Sequence, residues 1–242
     1  MNGNLVTLIS MLRGPGSSTS HKGRIERLFG PMAADYDSFR RRYLHGRREL
    51  MEHFEIPQGG RLVELGGGTG RNLEFLGERL KLLSSARVVD ICTPLLEVAR
   101  ERHRRLGWDN VELVEGDATC WQPPEGEQVD VAFFSYSLTM MPDWYLALEN
   151  ALAMLKPGGQ LGVVDFYFSR KRPSNGDRHH AFFHRYFWRL WFSHVDVFLS
   201  HDHLPYLQQH TERVYLHEGM GSVPYVPLLK APYFAFIGRK RG

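Results

Sequence analysis

Short apolar runs alternate with longer amphipathic stretches over most of the chain. Runs such as 129–134 have the length and composition of buried strands. Between the runs, apolar residues recur at helical spacing, as at Leu73, Leu76 and Leu80. Strands that alternate with helices form a parallel sheet with helices on both faces. The pattern therefore predicts an α/β fold with strands at 62–65, 86–90, 111–114, 129–134, 160–166, 213–218 and 232–238.

The segment from about 169 to 210 departs from this alternation, and we predict an inserted helical region rich in aromatic residues and histidines. One helical stripe contains Phe183, Tyr186, Phe187, Leu190 and Trp191. Trp188 and Phe192 fall outside that stripe, so the helix is apolar on more than one side. Such a helix is either covered by a further layer or lies against an apolar ligand.

The chain is predicted to divide into an N-terminal arm, residues 1–23, and one domain, residues 24–242. Residues 5–12 can form a short amphipathic helix, and residues 14–23 have the composition of a linker. Docking on the domain, contact with lipid and disorder all remain open for the arm.

Composition places the chain among ordinary globular proteins. A length of 242 residues suits one α/β domain with additions, and 43% of the residues are hydrophobic. The net charge of +3 does not indicate nucleic acid as a partner. The arginines between 40 and 48 form a local basic cluster, which either faces phosphates or an anionic membrane or is a solvated helix face.

Two further features concern the compartment. Cys92 and Cys120 have neither redox nor metal-site spacing, as suits a reducing cytoplasm. No apolar run reaches the roughly 20 residues that span a bilayer. We expect a cytoplasmic protein.

His180 and His184 have a metal-compatible spacing but lack the accompanying glutamate and third ligand, so we predict no metal site.

The glycine-rich stretch RLVELGGGTG, residues 61–70, connects the first predicted strand to a helix. Glycines allow backbone conformations that side chains forbid and let a ligand lie against the main chain. A dinucleotide fingerprint would need a third glycine where Arg71 stands, which disfavours a nicotinamide oxidoreductase. A turn that binds nothing is the simpler interpretation. The spacing E-x-G-x-G-x-G, from Glu64 to Gly70, resembles the first motif of the class I S-adenosylmethionine-dependent methyltransferases.

An acid also ends the second predicted strand. Asp90 follows Glu64 by 26 positions, which is one strand-helix-strand unit. One carboxylate there can accept from both hydroxyls of a ribose. The alternative, a helix-capping aspartate, is weakened because Thr93 and Pro94 already begin the next helix.

The methyltransferase resemblance implies a Rossmann-like seven-stranded, mostly parallel sheet whose last strand is antiparallel. It implies S-adenosylmethionine as cofactor, with its ammonium balanced by Glu64 and its adenine contacted by the Asp117 side chain and the Ala118 amide. The cofactor-binding positions are then Glu64, Gly66, Gly68, Gly70, Asp90, Ile91, Asp117, Ala118 and Ser135.

The same resemblance suggests three catalytic candidates. The AADYD stretch, residues 33–37, is similar to one in small-molecule methyltransferases whose aromatic ring closes over the sulfonium. Tyr36 is therefore a candidate lid residue, although a tyrosine packed as a helix staple fits nearly as well. Tyr136 follows the fourth strand and Asp165 lies at the carboxyl end of the fifth, and these ends face ligands in such sheets.

Two stretches carry a sharper resemblance. FFSYSLTMMPDW, residues 133–144, and VFLSHDHLPYL, residues 197–207, look like those of the methyltransferase component of betaine-lipid synthesis. This implies successive N-methylation of diacylglyceryl-homoserine. The implied partners are an amine-headgroup lipid, the inner membrane face and the 3-amino-3-carboxypropyl transferase that makes the homoserine lipid. Methylation of a phospholipid amine or a quinone, and a non-catalytic partner subunit, remain alternatives.

Overall fold

A computed structural model describes residues 20–124, 126–173, 177–193, 197–223 and 229–242. Residues 1–19, most of the predicted arm, lie outside the described residues. The first described helix already begins at His21, and the Ser20 hydroxyl caps it by accepting a hydrogen bond from the Gly23 amide at 3.1 Å. The last residues of the expected linker are therefore the first turn of a helix.

Seven strands form one sheet in the order β3-β2-β1-β4-β5-β7-β6. Strands β1 to β5 are parallel, and β7 pairs antiparallel with both β5 and β6. This confirms the predicted fold class. The strands are β1 (Arg61–Leu65), β2 (Ser85–Asp90), β3 (Val111–Glu115), β4 (Val129–Ser135), β5 (Leu155–Phe166), β6 (Thr211–Ser222) and β7 (Lys230–Lys240).

Helices cover both faces of the sheet. They are α1 (His21–Phe29), α2 (Tyr36–Tyr43), α3 (Arg47–His53), α4 (Thr93–Leu106), α5 (Trp144–Met154), α6 (Phe182–Ser193) and α7 (His203–His210). Three 3₁₀ segments are Gly30–Asp35, Arg71–Leu82 and Leu138–Met140. The segment predicted as a helix after the glycine loop is thus 3₁₀, with a break at Gly77, where φ is 54°.

The core lies on both sides of the sheet. On one face, α3, Arg71–Leu82 and α6 pack on the sheet. On the other face, α5 and α7 do so. The apolar residues of β1 and β4 are buried, as expected for central parallel strands. This rigid sheet places the carboxyl ends of β1 to β4 along one edge.

Helix α6 packs against the core with the side opposite the apolar stripe that the sequence pattern identified. Trp188 and Phe192 are buried, and the Trp188 indole N–H donates to the Lys230 carbonyl at 3.1 Å. Phe192 packs on Phe166 of β5 with ring centroids 4.8 Å apart. Most of the wider predicted stripe is exposed to solvent instead. Because both sides of α6 are apolar, periodicity could not decide which one is buried.

Candidate cofactor and acceptor site

A cleft of about 600 Å³, its open mouth included, lies at the carboxyl ends of β1 to β4. Eight of the predicted site residues line it: Tyr36, Gly66, Gly68, Asp90, Ile91, Asp117, Ala118 and Tyr136. Parallel strands bring these positions together because their carboxyl ends share one edge of the sheet.

The glycine loop forms the floor of the cleft. Gly66, Gly68 and Gly70 all have positive φ, at 67°, 56° and 65°. A Cβ on Gly66 would lie 2.5 Å from the Cβ of Ser137, so no side chain fits there. Gly70 is not among the residues that line the cleft, and its role as a binding position stays a prediction. Its left-handed backbone instead turns the chain into the Arg71–Leu82 segment.

Asp90 lies in the wall of the cleft and holds the loop. One carboxylate oxygen accepts from the Gly68 amide and the other from the Cys92 amide, each at 2.7 Å. Burial raises the pKa of Asp90, and these two hydrogen bonds oppose the shift. The next helix begins at Thr93 with Cys92 as its N-cap, so the bond to the Cys92 amide holds the turn before the helix and does not cap it. Each oxygen has a further lone pair, so a diol can still be bound.

Asp117 and Ala118 lie together at another part of the wall. Asp117 is exposed, and its Oδ1 accepts from the amide and the hydroxyl of Thr119 at 2.9 and 2.7 Å. Ala118 is buried. The positions fit the rim of a purine pocket.

Glu64 lies beneath the loop and is not among the residues that line the cleft, so its role as a ligand for the ammonium stays a prediction. A Cβ on Gly67 would lie 2.9 Å from its Cγ, so Glu64 packs against the loop backbone. Its Oε1 accepts from the Asn72 amide at 2.6 Å, and its buried Oε2 has no hydrogen-bond partner among the described residues. Burial raises the pKa of Glu64 to about 7. The unpartnered oxygen leaves acceptor capacity next to the loop.

We expect Glu64→Gln to become more stable relative to the wild type as pH rises from 5 to 7.5. The folded-state pKa of about 7 lies above the ordinary value of 4.5, so Glu64 stabilises the fold at low pH and loses this contribution as pH rises through 7. The gain should be on the order of 2 kcal/mol at pH 7.5, because one pKa unit corresponds to about 1.4 kcal/mol. Urea unfolding at both pH values measures it, and a pH-independent difference would contradict the burial argument.

Arg40 is a site residue that the sequence pattern missed. It is buried in the cleft wall, its Nη2 donates to the Ser135 carbonyl at 3.2 Å, and its Nε has no described hydrogen-bond partner. Its guanidinium lies 5.1 Å from the Tyr36 ring centroid. The structure thus holds a buried cation near Gly68 and Asp90. The sequence suggested either a surface that faces phosphates or a membrane, or a solvated helix face. The buried Arg40 belongs to neither.

Arg47 is the second buried arginine of that cluster. Its guanidinium donates to the carbonyls of Leu44 and Arg40, both at 3.1 Å, and to the Asn72 side chain at 3.3 Å. Burial and the neighbouring Arg40 lower its pKa to about 9. Arg47 therefore helps to hold Arg40 in place, and it also holds Asn72, whose side chain donates to Glu64. The signal in the sequence was only the clustering of arginines.

The AADYD stretch has two roles in the structure. Tyr36 lines the cleft and packs edge-on against Phe29, with ring centroids 5.1 Å apart. Asp37 accepts from the Thr69 hydroxyl at 2.7 Å and forms an ion pair with Arg102. Arg102 also donates to the Thr69 carbonyl. The stretch therefore supplies a ring to the cleft and ties α2 to the glycine loop.

Tyr136 lies at the end of β4 in a strained backbone conformation, with φ of 54°. Its hydroxyl donates to the His45 carbonyl at 2.8 Å, and its ring meets that of Phe166 at 4.7 Å. Burial and nearby Asp165 raise the pKa of Tyr136 well above its ordinary value, so the phenol stays neutral. Tyr136 can therefore present a neutral aromatic face to the cleft.

Asp165 and Ser135 are buried and are not among the residues that line the cleft, so their predicted roles at the site stay predictions. The Asp165 carboxylate is fully buried and accepts from the Thr139 amide and hydroxyl at 3.1 and 2.8 Å and from the Phe166 amide at 2.8 Å. Burial raises its pKa to about 7. It fixes the turn after β4, while Ser135 contributes its carbonyl to Arg40. Both residues position the cleft without reaching it.

Other chemistry is limited within the described residues. They contain no group of three histidine, cysteine, aspartate or glutamate side chains arranged for a metal ion. His180 accepts from the Ser169 amide at 3.0 Å through Nδ1, and burial lowers its pKa to about 4. None of the described helices has the length and apolar character needed to cross a membrane.

Comparisons with known proteins agree with this geometry. Residues 62–159 match the model of a methyltransferase domain family. The ubiquinone/menaquinone biosynthesis C-methyltransferase UbiE of Pseudomonas savastanoi is 30% identical over 160 residues, which cover 63% of this chain and 60% of that protein. The chain thus spans about 60% of the length of the curated relatives it matches.

Two solved structures show the same fold. The [4+2]-cyclase SpnF has a TM-score of 0.68 at 17% identity, covering 94% of this chain and 98% of its own. A SAM-dependent methyltransferase from Aquifex aeolicus has a TM-score of 0.54 at 16% identity, covering 86% and 96%. Because the fold also occurs in a cyclase, the reaction must be argued from the residues of the cleft.

Proposed function

We propose that this chain, which has the class I methyltransferase fold and a methyltransferase domain at residues 62–159, catalyses methyl transfer from S-adenosylmethionine. S-adenosylmethionine is the cofactor of this fold and domain, and the cleft fits it. Asp90 would bind the ribose, and Asp117 with Ala118 would contact the adenine. Arg40 would bind the methionine carboxylate. The glycine loop, which carries no side chains at these positions, would let the cofactor lie directly against the main chain. The cofactor supplies an electrophilic methyl group on a cationic sulfur.

The acceptor that we propose is the amine of diacylglyceryl-homoserine, methylated to the trimethylated betaine lipid. The aromatic lining of the cleft, with Phe29, Tyr36 and Tyr136, carries this proposal. Aromatic faces attract the cation that forms as methyl groups accumulate, at roughly 0.5 to 2 kcal/mol each. Two stretches that resemble the betaine-lipid enzymes, residues 133–144 and 197–207, contribute Tyr136 to the cleft and Phe198 to the neighbouring surface.

The amine must lose its proton before it can attack. Asp165 is sealed from the cleft and Tyr136 is a neutral phenol, so neither takes that proton. The apolar side chains of Met140 and Met141 also line the cleft. An apolar environment disfavours the charged amine and lowers its pKa, so the free base can form and release its proton to water. The site then acts mainly by desolvating and orienting the amine.

A quinone ring is the second candidate acceptor, favoured by relatives such as UbiE, a ubiquinone/menaquinone biosynthesis C-methyltransferase. Its methylation forms a C–C bond and needs no amine. A phospholipid amine is a third. Incubating the purified chain with labelled S-adenosylmethionine and each acceptor, followed by mass spectrometry, separates them. We expect the homoserine lipid to gain one, two and three methyl groups. Methylation of the quinone alone would reject the amine, and no methylation of any acceptor would reject the proposed activity.

We expect Tyr136→Phe to slow methyl transfer by about tenfold while cofactor affinity stays unchanged. The hydroxyl bond to the His45 carbonyl, worth about 1 kcal/mol, holds the ring, and a displaced ring disturbs the alignment of the acceptor. Single-turnover rates and calorimetric titration with S-adenosylhomocysteine measure the two effects. Tyr145→Phe, at an exposed site on α5, is the matched control. An unchanged rate would remove Tyr136 from the transfer step.

The proposed acceptor also suggests location and partners. We propose a cytoplasmic protein in peripheral contact with the inner membrane face, where a lipid acceptor would be presented. The enzyme that supplies it must attach a 3-amino-3-carboxypropyl group to diacylglycerol, and that transferase is the partner we propose. Co-purification of the two proteins from cells that make the lipid tests this.

A further inference from the structure

Helix α6 has a solvent-exposed apolar face on the side opposite its buried one. We name it the aromatic face, and its residues, with exposed fractions of 73, 58, 49, 73 and 49%, are Phe182, Phe183, Tyr186, Leu190 and Trp191. At 100° per residue, these positions are centred opposite Trp188 and Phe192, which bury the other side against the sheet. A helix that is apolar on both sides contacts a second apolar phase.

The charge around α6 indicates what that phase is. Residues 169–193 contain six basic residues and one acidic residue, whereas the whole chain has 30 and 27; of the six, Arg170 is paired with Asp202. Arg185 and Arg189 flank the aromatic face on the helix, four positions apart. A second copy of this chain would bring like charges together, while an anionic lipid surface would be attracted. Tyr and Trp are also the side chains enriched at the interface between apolar and aqueous phases.

The aromatic face lies directly behind the acceptor end of the cleft. Trp188 and Phe192 are 5.3 Å apart between ring centroids, Phe192 and Phe166 are 4.8 Å apart, and Phe166 and Tyr136 are 4.7 Å apart. Tyr136 lines the cleft itself. A continuous aromatic wall therefore separates the cleft from the exposed side of α6.

We propose that the aromatic face of α6 is the surface on which the protein lies on an anionic bilayer. The helix lies in the interface with its aromatic side chains among the acyl chains, and the exposed Arg189 contacts lipid phosphates. This inference rests on the proposed function, because a membrane-bound lipid acceptor gives the contact its purpose. It specifies which helix contacts the membrane and which lipid charge attracts it.

Flotation of the full chain with vesicles tests the inference. Phosphatidylcholine vesicles with and without phosphatidylglycerol are compared for the wild type and for Leu190→Glu, Arg189→Gln and Leu82→Glu. Leu82 is 54% exposed at the end of the 3₁₀ segment Arg71–Leu82, far along the chain from α6, and serves as the matched control. We expect binding to the anionic vesicles, a loss of at least about tenfold for Leu190→Glu, about fivefold for Arg189→Gln and none for Leu82→Glu.

Three results would overturn the inference. Equal binding of the wild type to neutral and anionic vesicles would exclude attraction by lipid charge. Equal binding by Leu190→Glu and the wild type would place the contact elsewhere. A dimer in light scattering that Leu190→Glu dissociates, without vesicle binding, would assign the face to a second copy. Methylation of the lipid acceptor in detergent micelles, measured in parallel, reports on the proposed function independently of membrane binding.

Discussion

Replacing Arg40 with methionine is expected to weaken binding of S-adenosylhomocysteine by about 10- to 100-fold. The guanidinium is buried in the cleft wall with one unpartnered N–H, and hydrogen bonds between charged groups are worth about 1.5 to 3 kcal/mol. 5′-Methylthioadenosine lacks the amino-acid end, so its affinity should stay within about twofold, because no carboxylate is present to lose its partner. Calorimetric titration of both ligands measures the difference.

The neighbouring Arg41 provides the control for this experiment. It lies on the same helix, α2, but is exposed, so Arg41→Met should bind both ligands as the wild type does. Equal weakening of both ligands by Arg40→Met would mean that Arg40 only supports the cleft. Unchanged binding of both would remove Arg40 from the site.

Replacing Asp90 with alanine is expected to weaken both ligands by about 10- to 100-fold. Both carry the ribose, whose hydroxyls donate to this carboxylate, and charge-assisted hydrogen bonds contribute about 1.5 to 3 kcal/mol. Asp90 also accepts from the Gly68 and Cys92 amides, so the variant should lose stability as well. Binding is therefore measured well below the unfolding temperature.

Two further variants separate binding from folding at Asp90. Asp90→Asn keeps the size of the side chain and one acceptor, so it should fold better than Asp90→Ala while still binding both ligands weakly. Asp109→Ala, at an exposed position before β3, is the control for loss of an aspartate. Wild-type affinity in a folded Asp90 variant would show that the ribose assignment is wrong. Together, the Arg40 and Asp90 variants distinguish the part of the cleft that binds the nucleoside from the part that binds the amino-acid end of the cofactor.

The order of acids at the strand ends could be predicted because it follows from local patterns. A parallel sheet places the residues at the carboxyl ends of β1, β2 and β3 along one edge, so Asp90 and Asp117 line the same cleft as the glycine loop. The three positive φ values in the loop follow from the glycines themselves. These parts of the site depend on sequence neighbours and on the topology alone.

The missed parts depend on contacts between distant residues. Arg40 is buried because it donates to the Ser135 carbonyl, 95 positions away, and no pattern of charges reveals that bond. Asp165 follows a strand just as Asp90 does, yet Thr139 folds over it and removes it from the cleft. On α6, periodicity identified an apolar stripe, but packing buried Trp188 and Phe192 instead. The sequence could therefore locate the cofactor side more closely than the acceptor side.

The central claim is that the cleft at the ends of β1 to β4 holds the cofactor, with its sulfur directed toward Tyr136. A crystal structure of the full chain with S-adenosylhomocysteine tests it most directly. The account predicts the ribose hydroxyls within hydrogen-bond distance of Asp90 and the amino-acid carboxylate at Arg40. A ligand bound outside this cleft, or a cleft filled by the protein's own side chains, would contradict it.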